Sequence, residues 1–253
     1  MVKDQPEAVF TTVLCEAGGR MPPGLTHAVD ALWQAAKASG YALREKSDLT
    51  SRVLAALRQF QDTQRGTAPM LLRISLSRGA DLSLHPRLHE PPNSRTVAVR
   101  PWPSGVPRCG FKVEPWHEMR VLTREARSSG LAGFLLVDAN QIIVDADAAT
   151  PLWVDATGVV HIPDPLLGGV RSNTVKQLCV AAERVGSHPL NRLQPGSFSP
   201  SDVLRRGGLL LVGTGLGVRR IESVDGCELA PSREALVTIQ AIEETFHGLI
   251  TQP

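Results

Sequence analysis

The chain has 253 residues, 42% of them hydrophobic, enough for one large or two modest domains whose core needs no disulfide or metal staple. Twenty-seven Lys plus Arg against 25 Asp plus Glu leave a formal charge of +2, and the basic residues are scattered, so a nucleic-acid partner gains no support. Cys15, Cys109, Cys179 and Cys227 lie far apart with no C-x-x-C pair and read as reduced thiols of a cytoplasmic protein; no apolar run approaches the roughly 18 residues of a membrane span, so neither secretion nor a membrane is expected.

Val9 to Cys15 is β-rich, and Gly18-Gly19 with Pro22-Pro23-Gly24 punctuates it, which predicts a strand and a turn. Thr26 to Ser39 carries Val29, Leu32, Trp33 and Ala36 at helical spacing and stops at Gly40; Asp48 opens a second helix through Phe60. Leu71 to Ser77 alternates like a strand. The stretch Leu82 to Ser94, rich in Pro, His and Arg, gives no regular element before the strand Thr96 to Arg100. Pro101 to Pro107 reads as linker, with a boundary near residue 105 between a smaller N-terminal α/β domain, 1–105, and a larger C-terminal domain, 106–253.

Beyond it the pattern predicts a helix over about Glu118 to Ser128, strands at Gly133 to Val137 and Gln141 to Val144, and further strands around Leu152 and Val159. A helix from about Ser172 to Val185 follows, then the apolar strand Leu209 to Val212, a glycine-rich turn and a closing helix from Ser232 to Leu249. Asp225-Gly226 is a hairpin-type turn. Strands come in clusters with helices between them, which indicates an α/β chain of α+β type, with mixed or antiparallel sheets flanked by helices. Trp33, Trp102, Trp116 and Trp153 read as core or wall residues.

Five segments acquire meaning when read together: Val9-Phe10-Thr11-Thr12, Lys112, Leu135-Leu136-Val137-Asp138, Gly169-Val170, and Leu211-Val212-Gly213-Thr214-Gly215 with Val218 downstream. In order and spacing they resemble the class IV aminotransferases and 4-amino-4-deoxychorismate lyases, the fold-type IV pyridoxal-phosphate enzymes with the D-amino acid aminotransferase-like fold. Lys112 lies 26 positions before Asp138 (138 − 112), about where the family carries its Schiff-base lysine, so the resemblance nominates Lys112 as catalytic. Such a lysine must be partly buried for its amine to be free near neutral pH, and Lys112 sits between Phe111 and Val113. Without the resemblance it reads as a surface lysine.

The resemblance places Asp145 where the family has a glutamate facing the pyridine nitrogen of pyridoxal 5'-phosphate; taken alone, Asp145 is a solvated turn acid beside Asp147. Gly213-Thr214-Gly215 follows an apolar strand and offers N–H groups and a hydroxyl to phosphate oxygens, the matching threonine being a phosphate ligand in the family. Gly169-Val170, before the helix near Ser172, would add N–H donors and a helix dipole. Each glycine turn by itself is an ordinary connection. The resemblance further implies a small amino substrate, a lyase or transaminase reaction, and a homodimer.

Four positions depart from the family pattern. The His-x-x-Arg of an early helix reads His27-Ala28-Val29-Asp30, and losing a bidentate arginine contact costs about 1.5–3 kcal/mol, a decade or more of affinity for phosphate. Gly-Ile-x-Arg reads Gly169-Val170-Arg171-Ser172, the expected glutamate is Asp145, and the asparagine five residues on is Thr150; the family's opening strand and its Asp-Arg turn are also missing. A rebuilt site, with Arg73, Arg78 or Arg171 supplying the charge, is one reading. The alternative is a cofactor-free relative that binds a ligand, or catalyses without the cofactor, in the same cleft.

Other motifs are weaker. His85-x-x-x-His89 with Glu90 has helical ligand spacing, but Pro86, Pro91 and Pro92 argue against a helix, so no metal is expected. There is no G-x-S-x-G elbow, and the glycines from Gly213 to Gly217 are no dinucleotide fingerprint.

Overall fold

A computed structural model describes residues 6–16, 21–63 and 68–251, the last two by backbone alone; the expected Gly18-Gly19 turn lies outside the described residues. In chain order the elements begin with β1 (Ala8–Cys15), α1 (Leu25–Ala38), α2 (Lys46–Thr63), β2 (Met70–Ser77), β3 (Leu82–Leu88), β4 (Thr96–Pro101) and β5 (Lys112–Glu114). They continue with α3 (His117–Ser128), β6 (Gly133–Val137), β7 (Ile143–Ala146), β8 (Thr150–Val154), β9 (Val160–Pro163), α4 (Asn173–Glu183) and β10 (Gln194–Gly196). The last are α5 (Pro200–Val203), β11 (Gly208–Gly213), β12 (Gly217–Ile221), β13 (Ser223–Val224), β14 (Cys227–Glu228) and α6 (Arg233–Thr251).

Two compact units result. The first comprises the chain up to Glu90 together with Phe111–Trp116, the second Pro91–Gly110 together with the chain from His117 onward. In the first, an antiparallel sheet runs in the order β3-β2-β1-β5. Side chains alternate across a strand, so one face carries Val9, Val13, Leu72, Ile74, Leu76 and Val113, all nearly or fully buried, and α1 packs along β1. Leu32 of α1 and Leu49, Val53 and Leu57 of α2 are buried to within 1%, each such side chain contributing about 1.5–3 kcal/mol relative to an exposed one. The opposite face is polar, with Thr12, Arg73, Ser75, Lys112 and Glu114 around Phe10.

β3 corrects the sequence reading, which left Leu82 to Ser94 without an element. Proline removes a ladder donor but is tolerated on an edge strand, and β3, with Pro86 opposite Leu72, is the edge of its sheet.

The second unit holds two mixed sheets, in the orders β14-β13-β4-β6-β7 and β10-β9-β8-β11-β12. One core cluster joins them through Val97, Leu135, Val137 and Ile143 on one side and Leu209, Leu211 and Ile221 on the other. A second cluster lies on the far side of the β8–β12 sheet, where Leu152, Val154, Leu210 and Val212 meet Val175 and Leu178 of α4 and Ala235, Ile239 and Ile242 of α6. β11 is thus buried on both faces, which is why Leu209 to Val212 is a continuous apolar run rather than an alternating one. The Asp225-Gly226 turn joins β13 to β14, both residues having positive φ (48° and 77°), as a tight hairpin turn of the primed type requires.

Candidate cofactor site

β7 pairs with β6 in a register that shifts between Leu136 and Val137, an irregularity of the β-bulge kind, and Asp145 stands opposite Leu136. Asp145 is only 5% exposed, and its Oδ2 accepts the Val170 N–H at 2.8 Å. The bond exists because the two chains come unusually close. A Cβ on Gly169 would lie 2.3 Å from the Val144 carbonyl oxygen, and one on Gly168, which has φ +81°, would lie 2.6 Å from Arg108 Cβ. Gly110 N–H donates to Gly168 O (3.2 Å) and Arg171 N–H to Gly110 O (3.0 Å), clamping the segment from the other side. The glycine pair is therefore required first for packing.

Two residues on, Ser172 caps α4, its Oγ accepting the Val175 N–H at 3.2 Å. Thr174 is buried, and its hydroxyl lies 3.3 Å from that of Thr214. Thr214 and Gly215 form the turn between β11 and β12, closed by Leu216 N–H to Gly213 O at 3.1 Å. Gly213 passes close to a neighbouring turn, where an added Cβ would meet Ala148 O at 3.0 Å. The structure thus brings Asp145, Gly169 and Val170 together directly, and ties Thr214 to the start of the same helix through Thr174.

A cavity of about 200 Å³ opens beside them. Its buried floor includes Val144, Asp145, Thr150 and Val175, and its margin Asp164, Arg171, Ser172 and Lys176. Three positions at which the sequence departs from the family pattern, Asp145, Thr150 and Ser172, line this one space. Sequence reasoning overlooked Thr174, Lys176 and Asp164. The last was legible: Asp164-Pro165 is an N-cap with proline at the first position, and Asp164 Oδ1 does accept the Leu166 N–H at 2.8 Å.

Asp147 is a second buried carboxyl. Burial pushes its pKa up, against the Phe134 N–H donated to Oδ1 at 2.8 Å, the Thr123 hydroxyl and the Arg127 charge. Neither Asp145 nor Asp147 is the solvated turn acid that the sequence alone allows.

Lys112 belongs to the first unit, where it opens β5 directly across from Phe10 and is half-buried. Arg73 lies over the Phe10 ring at 4.1 Å and pairs with Glu114 at 2.5 Å; Glu114 Oε2 accepts the Trp116 N–H at 2.8 Å. The Trp116 ring meets Phe10 edge-on, centroids 5.7 Å apart. Asp30, at the position of the expected arginine, forms an ion pair with Lys46 that ties α1 to the start of α2. Among the described residues no group of three or more His, Cys, Asp or Glu is arranged to hold a metal, and no helix is long and apolar enough to cross a membrane.

No protein-family model and no curated protein sequence matches the chain. Solved structures do. A hypothetical aminotransferase from Mycobacterium tuberculosis superposes in its apo form with a TM-score of 0.75, at 15% identity over 97% of this chain and 90% of that one. The chain has the fold of the class IV aminotransferases. The pyridoxal-phosphate-bound form of the same protein gives a TM-score of 0.74 over 96% of this chain and 89% of that one, again at 15% identity. A protein assigned as a 4-amino-4-deoxychorismate lyase matches at 25% identity over 94% of this chain and 90% of its own, with a TM-score of 0.69. A fold IV transaminase from Curtobacterium pusillum matches at 17% identity over 98% and 87%, with a TM-score of 0.74. The expected architecture of mixed sheets flanked by helices is the one observed.

Proposed function

We propose that the protein is a pyridoxal-phosphate-dependent enzyme, a lyase or aminotransferase acting on a small amino compound, with Lys112 as its catalytic amine. The observation that carries this reading is the buried Asp145 carboxylate, held by Val170 on the floor of a cavity at the start of α4, in a chain of class IV aminotransferase fold. A buried carboxylate is a strong hydrogen-bond acceptor, and a protonated ring nitrogen is a donor matched to it in charge. The residues present therefore fit the cofactor.

Asp145 would accept a hydrogen bond from that nitrogen. Gly213, Thr214 and Gly215, together with Thr174, Arg171 and the N-terminal end of α4, would receive the phosphate; Gly169 and Val170 keep the segment against β7, Val170 by giving its own N–H to Asp145. Pyridoxal phosphate, when bound, supplies an electrophilic carbon and an electron sink. Lys112 Nζ would hold the cofactor covalently and, as the neutral amine, carry a proton to or from the substrate carbon. The charge of the missing arginine would come from Arg171, since Asp30 is engaged by Lys46. A homodimer in the cytoplasm belongs to the same reading.

Two observations favour the second reading, a cofactor-free relative: the Val170 N–H is already given to Asp145, and an acid stands where the arginine was expected. Borohydride reduction of the protein mixed with pyridoxal phosphate, followed by peptide mass spectrometry, separates the two. The proposal expects the cofactor's mass on the peptide carrying Lys112. Label spread over surface lysines with no preference for Lys112 supports the second reading.

A further inference from the structure

We infer that Arg219 and Arg95 form a second anion site, which takes the phosphate group of a free ion or of a small monoester between two arginine side chains. The site lies across the β8–β12 sheet from α4 and does not depend on the cofactor reading.

The strand registers fix where both side chains point. Arg219 stands opposite Leu211 in the β11–β12 ladder, and directly paired residues share a face, so Arg219 flanks the intersheet core of Leu209, Leu211 and Ile221 from the edge strand of its sheet. In the facing sheet Val97 pairs with Val224, and both belong to the same core. Two residues earlier, the bond from Glu222 N–H to Arg95 O at 2.7 Å extends that ladder, which puts Arg95 and Glu222 on the core side as well. Three ionised side chains thus stand at one border of the core, two positive and one negative.

Their charges do not cancel. Arg95 Nη1 lies 2.7 Å from Glu222 Oε1, which satisfies that pair. Arg219 has no carboxylate partner among the described residues; it is half-buried, and its Nε is sealed from water with no acceptor. The charge that acts on it is a like one: burial first, and Arg95 second, pull its pKa below the ordinary arginine value. A guanidinium that has lost water and faces another cation is stabilised by an oxyanion, because arginine's planar fork of donors matches phosphate oxygens and two such forks can share one ion. The phosphate of the proposed cofactor is a different group, received where Thr214 meets Thr174 of α4; that helix packs on the opposite side of the sheet, with Val175 and Leu178 against Leu210 and Val212.

The test follows the Arg219 Nε–H signal by NMR, identified by its loss in Arg219→Lys, as sodium phosphate replaces sodium chloride at constant ionic strength in protein without added cofactor. The inference expects a saturable shift at millimolar phosphate, with affinity reduced about tenfold or more in Arg95→Gln, the effect of one charge-assisted bond. Arg95 is more than half exposed, so its replacement leaves the fold intact, as the rest of the spectrum reports. Repeating the titration with glycerol phosphate separates the sources: tighter binding than inorganic phosphate means that an esterified phosphate is the ligand, and equal or weaker binding means the free ion. A signal that does not move, or that moves without saturating, overturns the inference. So does a shift that Arg95→Gln leaves unchanged, or that Arg171→Gln abolishes, since the ion would then sit at the start of α4.

Discussion

Replacing Gly169 by alanine tests the packing on which the cavity depends. The added Cβ would lie 2.3 Å from Val144 O and 3.3 Å from the Asp145 Cβ, whereas a carbon meets a carbonyl oxygen at about 3.3–3.6 Å, so the two chains must part by about 1 Å. Overpacking of that kind costs about 1–3 kcal/mol. Parting the chains also stretches the 2.8 Å bond from Val170 N–H to Asp145, and a hydrogen bond to a carboxylate contributes about 1.5–3 kcal/mol. The two losses share one displacement and are not additive, which gives about 2–5 kcal/mol in all. At about 2–4 °C per kcal/mol, Tm should fall by about 5–20 °C in a thermal melt followed by circular dichroism. Gly248→Ala is the control: it lies in α6 with nothing within 4 Å of the added Cβ, so it should stabilise by up to about 1 kcal/mol. A Gly169→Ala protein as stable as Gly248→Ala would refute the reasoning.

Asp147→Asn should raise Tm at neutral pH. Because burial holds the folded carboxyl's pKa above its unfolded value, Asp147 lowers stability as pH rises through that value; the variant's advantage should therefore shrink on acidification towards pH 3.8, and a constant difference would contradict this. Ser199→Ala removes the hydroxyl from the capping box at α5, where Ser199 Oγ donates to Asp202 Oδ2 at 2.7 Å and accepts the Asp202 N–H at 3.3 Å, and should cost about 0.5–2 kcal/mol in urea unfolding. The Ser199 hydroxyl and N–H hold the Asp202 pKa below 3.8, so the part of this loss that comes from the hydroxyl-to-carboxylate bond should disappear as pH falls through the folded value, leaving the part from the Asp202 N–H cap. Thiol titration should modify exposed Cys227 first and buried Cys15 last, burial pushing the latter's pKa up to about 11; equal rates would show that β1 opens readily.

Long periodic elements were legible in the sequence. α1, α3, α4 and α6 begin and end within a few residues of their expected bounds because capping residues, glycines and apolar spacing agree. What escaped was held by tertiary contact. β5 is three residues long, too short to alternate, and exists as a strand because Phe10 and its neighbours pair with it. Pro86 disguised β3, since only the edge position makes it harmless.

At the site, Asp145 and Gly169-Val170 were named for separate duties, ring nitrogen and phosphate. Their bond spans 25 positions, and the reason Gly169 must be glycine lies in a carbonyl of β7 that no local pattern reveals. The cavity was invisible for the same reason: β7, the 163–165 segment and α4 each contribute one side of it. The departures at Asp145 and Thr150 look unrelated to the one at Ser172 in the sequence, yet all three share that space.

The central claim is that Lys112 binds pyridoxal phosphate covalently, and a titration of the purified protein with the cofactor, followed by absorbance, tests it most directly. The account predicts a saturable band at about 410–430 nm, of the kind a lysine-linked cofactor gives, that disappears in Lys112→Ala. A wild-type protein that shows no such band at millimolar cofactor, or a Lys112→Ala protein that keeps it, would contradict the account.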